Sequence, residues 1–187
     1  MQRSSPHTGR YSRLQMMVFA GLLCAVGIVI PVLSPLKITL EPASFTLASH
    51  VAIFIGCFLS PVVGLAVAFG TTLGFLFAGF PLVVVMRALT HVVFAPICGF
   101  AVRRRPELAR SVTRSLGFSL LIGLLHAACE VLIVLPFYFS NSLTEGYYAK
   151  GFVLSVLLLV GVGSVLHSMV DYALSVWIWK ALNRAIA

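Results

Sequence analysis

Three ionisable pairs sit at i, i+4 inside long apolar stretches: Arg87 with His91, His126 with Glu130, and His167 with Asp171. On a helix a four-residue step puts both side chains on one face. Charge inside lipid is expensive, so ionisable groups there mark binding or transport chemistry. Turned toward one another, the three faces would enclose a polar pocket in an apolar bundle. The stretches hold one fixed positive charge, Arg87, and two potential negatives, Glu130 and Asp171. A guanidinium grips a carboxylate with two hydrogen bonds. The expected ligand is therefore a small organic acid, with Glu130 accepting hydrogen bonds from its other polar groups. A structural Arg87–Glu130 salt bridge is the competing meaning of the same residues. Metal is not expected: His and carboxylate are suitable donors, but the sequence suggests no tight His cluster and Arg87 would repel a cation. His50 and His167 read mainly as hydrogen-bonding core residues.

The elements that must position these groups are membrane helices. Of 187 residues, 60% are apolar and 10% charged, with a mean hydropathy of +1.06. A soluble domain is about 45–50% apolar and about 25% charged. A crossing helix needs about 20 apolar residues. Six spans are expected, at 14–33, 44–60, 61–79, 81–103, 113–137 and 151–181, with the second and third short and divided only by Ser60-Pro61. The apolar runs lack the period-two alternation of a membrane barrel, so the expected fold is an all-α membrane protein. One transmembrane domain is expected over 14–187, preceded by a cytoplasmic tail over 1–13. The first apolar run is too long for the core of a cleavable signal.

The net charge of +8 follows this threading. Ten of the thirteen Lys and Arg fall on one side when six spans are threaded from a cytoplasmic N-terminus; Lys37 and Lys150 fall on the other. Both termini are therefore expected inside. The basic residues flank the membrane, so nucleic acid is not an expected partner. The basic run Arg103-Arg104-Arg105 reads as a topology determinant. Cysteines 24, 57, 98 and 129 fall inside spans without CxxC spacing and read as small buried hydrophobes.

Depth along the spans brings Arg87, His91, His126 and Glu130 to an outward-opening site, while His167 lies near the middle and Asp171 deeper. The loops at 34–43 and 138–150 face outward. The first has two prolines and could fold over the mouth; the second offers Asn141, Tyr147 and Tyr148 for polar recognition or as an interfacial aromatic belt. No P-loop, GxSxG or HExxH motif is present, so the chain is not expected to be an enzyme or to hydrolyse ATP. Gly163-Ser164 with a histidine leaves an intramembrane hydrolase as a weak alternative. A self-sufficient proton-coupled transporter acting as a homodimer through Glu130, Asp171 and the histidines is the rival transport reading.

On the first helix, Gly21 and Ala25 are spaced as a small-xxx-small pattern that lets another helix approach closely. With six spans in under 200 residues, both termini inside and a proline-containing first outer loop, the chain resembles the substrate-binding S components of energy-coupling factor (ECF) vitamin transporters. That family docks through an Ala-x-x-x-Ala motif on its first helix; Gly21 and Ala25 take the matching positions, Gly replacing the first Ala. The stretch from Glu41-Pro42 to His50, with Gly79-Phe80-Pro81, is similar to a pantothenate-type or niacin-type branch, with pantothenate favoured. The resemblance implies vitamin capture from outside, association with a transmembrane coupling subunit and two ATPase subunits that use ATP and Mg, and toppling of the S component in the bilayer of a bacterial plasma membrane. No cofactor is expected in this chain.

Overall fold

The computed structural model describes the backbone of residues 11–35, 37–40 and 43–185. Residues 1–10 of the expected tail, Glu41 and Pro42 lie outside the described residues. The chain runs through eight α-helices: α1 (Arg13–Leu33), α2 (Val51–Leu59), α3 (Pro61–Phe77), α4 (Leu82–Leu89), α5 (His91–Arg104), α6 (Val112–Phe139), α7 (Glu145–Ala149) and α8 (Gly163–Ala185). A π-helical segment, Val153–Val162, leads directly into α8. Two strands, β1 (Lys37–Leu40) and β2 (Ala43–Thr46), pair antiparallel between α1 and α2.

Local chemistry sets the breaks. Ser12 caps α1 in a capping box with Gln15. Ser60 adopts an extended backbone between α2 and α3, accepts the Val63 N–H at 3.1 Å, and is followed by Pro61 at the first helical position. α4 and α5 abut at Thr90 and together form one apolar stretch, Leu82–Arg104.

Among the described residues four helical stretches are long and apolar enough to cross a membrane: Arg13–Leu33, Leu82–Arg104, Thr113–Phe139 and Val153–Arg184. They fall on the first, fourth, fifth and sixth expected spans. The second expected span is shorter than the sequence suggests. Its first part is a β-strand and a turn, and only nine residues form α2, about 14 Å of helix. α3 has 17 residues. The all-α membrane class holds, with a two-stranded hairpin that hydropathy alone did not reveal.

The outward faces carry large exposed apolar side chains, including Leu14, Val62, Phe77, Leu121 and Trp177, each at least 66% exposed. So much apolar surface belongs against lipid. Inside, α2 is enclosed by α1, α3, α5 and α8, and its residues from Val51 to Phe58 are all buried. Phe54, Phe94 and Tyr172 pack ring to ring at one end of the bundle. Val134, Tyr147, Val156 and Val160 form a second apolar cluster at the other end. The polar groups lie between: along α6 the order is Ile122, His126, Glu130, Val134.

α3 and α5 cross at nearly backbone contact. A Cβ on Gly99 would lie 2.6 Å from the Pro61 Cα, so any side chain there forces the helices apart. Gly99→Ala should lower stability by about 1–3 kcal/mol. Gly117, whose Cβ would meet nothing within 4 Å, should accept alanine without loss. Thermal unfolding of the two variants in detergent checks the contrast.

Candidate functional site

The polar groups of α4, α5, α6 and α8 converge on a cavity of about 100 Å³. A water needs roughly 10–15 Å³ by this measure, so there is room for a small organic molecule. Arg87, His91, His126, Glu130 and His167 all line it, as their spacing in the sequence suggests. Arg87 Nη2 donates to Glu130 Oε2 at 2.9 Å, joining α4 to α6. Ser164 Oγ also donates to Glu130 Oε2, and His126 Nε2 lies 3.4 Å from Glu130 Oε1. The expected salt bridge therefore exists, and it forms part of the cavity wall rather than lying apart from it. Arg87 Nε is buried with no hydrogen-bond partner among the described residues.

The histidines differ most from expectation. His50, read as a core residue, is the hub. Its ring centroid lies 4.8 Å from those of His91, His126 and His167, and the His91 and His126 centroids are 4.9 Å apart. The planes meet edge to face. Donor atoms of His50, His91 and His126 fall within 4.8 Å of one another, as do those of His50, His167 and Asp171. The sequence suggests no tight His cluster, yet the structure forms one, because the four histidines come from four separated parts of the chain: the turn before α2, α5, α6 and α8. Both sets have donor types that suit a first-row metal, beside the guanidinium of Arg87.

Asp171 does not line the cavity. Fully buried, it accepts the Ala48 N–H at 2.8 Å, the His50 N–H at 2.9 Å and the His50 Nδ1–H at 3.0 Å. It thereby ties the turn after β2 to α8. That turn includes Ala48 at φ 68°, a left-handed conformation costly for alanine. The end of β2 and the same turn bring Phe45, Thr46, Ser49 and His50 to the cavity, just past the loop expected to cover it. Ser49 Oγ and His167 Nε2 share a hydrogen bond of 2.9 Å, and the Phe45 ring lies 5.4 Å from that of His167. Phe75 and Phe80, stacked at 4.8 Å, add an aromatic wall.

The second loop contributes less than expected. α6 continues to Phe139, about 14 Å beyond Glu130, and carries Asn141 to an exposed turn away from the cavity. Tyr148 closes its own loop, with the Leu143 N–H donating to its hydroxyl and that hydroxyl donating to the Tyr138 carbonyl. Tyr147 is buried beside Arg87 but does not line the cavity. Burial pushes its phenol up, and the Arg87 guanidinium works against that rise.

Over 174 residues the chain is 34% identical to the Niacin transporter NiaX of Lactococcus lactis subsp. cremoris (strain MG1363), an alignment that covers 93% of this chain and 77% of the relative. No family model and no solved structure matches it. The chain belongs to the S components of the ECF vitamin transporters. This S component is a multi-pass protein of the cell membrane. Gly21 and Ala25 both lie on the exposed side of α1, whereas Gly27 and Pro31 of the same helix line the cavity.

Sequence reasoning missed His50, Ser49 and the three phenylalanines as parts of the site, and singled out Ser164 only as a possible hydrolase nucleophile, whereas it lines the cavity and bonds Glu130. Only a long-range contact could have revealed His50. Removing Asp171 strands two backbone N–H groups and a ring nitrogen, so Asp171→Ala should destabilise the ligand-free protein by about 3 kcal/mol or more. Asp171→Asn, which keeps one acceptor oxygen, should lose less; thermal unfolding of both variants measures the difference.

Proposed function

We propose that this S component captures niacin, a small aromatic carboxylate, in the cavity bounded by Arg87, the histidine cluster and the Phe45–Phe75–Phe80 wall. The single observation that carries the reading is a buried guanidinium at a small, aromatic-lined cavity. Nη2 is taken by Glu130, but Nε has no partner among the described residues. Donors thus remain for a ligand carboxylate. Glu130 keeps Ser164 and His126 as partners if the guanidinium turns toward the ligand. The relative described as a niacin transporter supports this vitamin over the pantothenate favoured from the sequence. Flat walls of phenylalanine and imidazole suit a planar ring better than a flexible aliphatic acid.

In this reading six segments thread the bilayer with both termini inside, as the basic residues suggest. Vitamin enters under the first loop. The loaded subunit meets a coupling subunit through the small-residue face of α1, and topples to deliver its cargo. ATP and Mg are used by the two ATPase subunits of the complex and not by this chain.

Arg87→Ala should weaken nicotinate binding to the purified subunit by tenfold or more, on the order of 1.4 kcal/mol or greater. Arg87→Lys keeps the charge but not the fork and should retain part of the affinity. Titration calorimetry reads both; undiminished affinity in Arg87→Ala would sink the carboxylate clamp. Bulky replacements at the docking face, Gly21→Leu or Ala25→Leu, should leave nicotinate binding by the solitary subunit intact while reducing ATP-dependent uptake by the complex. Normal uptake by both variants would remove that surface from the mechanism.

A further inference from the structure

We propose that His91 donates a hydrogen bond to the ring nitrogen of the bound heterocycle and so makes the site specific for N-heteroaromatic acids over carbocyclic ones. This rests on the vitamin-binding reading of the same cavity and adds a second recognition point to it. Three imidazoles surround the position, but they are not equivalent. His50 directs Nδ1 at Asp171, 3.0 Å away, which leaves its other nitrogen as an acceptor when that proton is in place. His126 likewise has both ring nitrogens without a hydrogen-bond partner among the described residues, but its Nε2 lies 3.4 Å from the Glu130 carboxylate, which favours a proton facing it. His91 has no such commitment: both ring nitrogens are buried with no hydrogen-bond partner among the described residues. It is 7% exposed and lines the cavity.

A neutral imidazole carries one N–H donor and one lone pair. Left unpaired in a buried site, that donor is costly, and a ligand that pairs it is favoured over one that cannot. A pyridine nitrogen offers an acceptor lone pair in the ring plane. His91 also sits four residues from Arg87 across the α4–α5 junction. Both residues line the one cavity, which suits a ligand whose carboxylate and second polar atom lie on one six-membered ring. His50 and His126 act as positioning residues, holding the His91 ring edge to face at 4.8 and 4.9 Å.

Nicotinate and benzoate differ by the ring nitrogen alone, and both carry the carboxylate that Arg87 would hold. Titration of the purified full-length subunit should give benzoate an affinity about tenfold or more below that of nicotinate. His91→Phe should bring the ratio toward one, and His91→Gln, which restores a donor, should recover part of it. Equal affinity of the unaltered protein for the two acids would overturn the inference while leaving the carboxylate clamp standing. A nicotinate preference that persists in His91→Phe would overturn it as well. So would a preference abolished by EDTA, since a metal on the imidazoles would then carry the discrimination. If neither acid binds, the vitamin-binding reading fails and this inference with it.

Discussion

The buried polar groups around the cavity are arranged around the cost of burying charge in an apolar bundle. Arg87 and Glu130 meet at 2.9 Å with both side chains almost fully enclosed. Removing one partner of such a pair leaves an uncompensated buried charge and is strongly destabilising, by about 3–5 kcal/mol. The pair therefore pins α4 to α6. Because each charged group retains further capacity, Glu130 through Ser164 and His126 and Arg87 through an unpartnered Nε, it can hold the bundle and still answer a ligand. A salt bridge fully satisfied within itself would have no donors left to offer.

Asp171 resolves a second burial problem in a different way. Its carboxylate takes two backbone N–H groups and an imidazole, enough to satisfy a buried anion without a fixed cation. In doing so it sets the backbone of the turn after β2 and the direction of the His50 ring. The turn after the hairpin, the hub histidine and α8 thus share one anchor. Phe45 extends that coupling. A side chain on Gly163 would lie 2.6 Å from the tip of its ring, so the glycine at the start of α8 makes room for the Phe45 ring at the cavity.

The sequence disclosed the parts of this arrangement that have a period. Four long apolar runs and the i, i+4 pairs were legible because helical geometry repeats every few residues. Each pair except His167 with Asp171 reaches the cavity whole, and there the partners diverge because Asp171 faces the turn rather than the space. What was not legible depended on contacts distant in sequence. His50 sits 41 residues from His91 and 76 from His126, so nothing local marked it as a hub. The second expected span starts too early because Phe45, Leu47 and Ala48 of the strand and turn raise the hydropathy of the window despite Ser44, Thr46, Ser49 and His50. Asn141 was misplaced because α6 runs past its expected end, and a helix end without a strong capping signal is hard to locate from composition.

The first helix joins the two halves of the proposed mechanism. One side of α1 meets the cavity through Gly27 and Pro31, and a Cβ on Gly27 would lie 2.5 Å from the Thr71 side chain. The opposite side, with Gly21, Ala25, Val18 and Val29, is exposed. Pro31 removes a backbone donor from the last turn, close to where the helix passes into the hairpin. In the proposed mechanism a ligand held against Gly27 and Pro31 acts on the same helix whose opposite face would meet the partner. Two sites on opposite faces of one rigid element can bias each other when that element has two positions in the bundle. On the docking proposed through Gly21 and Ala25, binding energy at the cavity would reach the partner through this one element, with no separate signalling device.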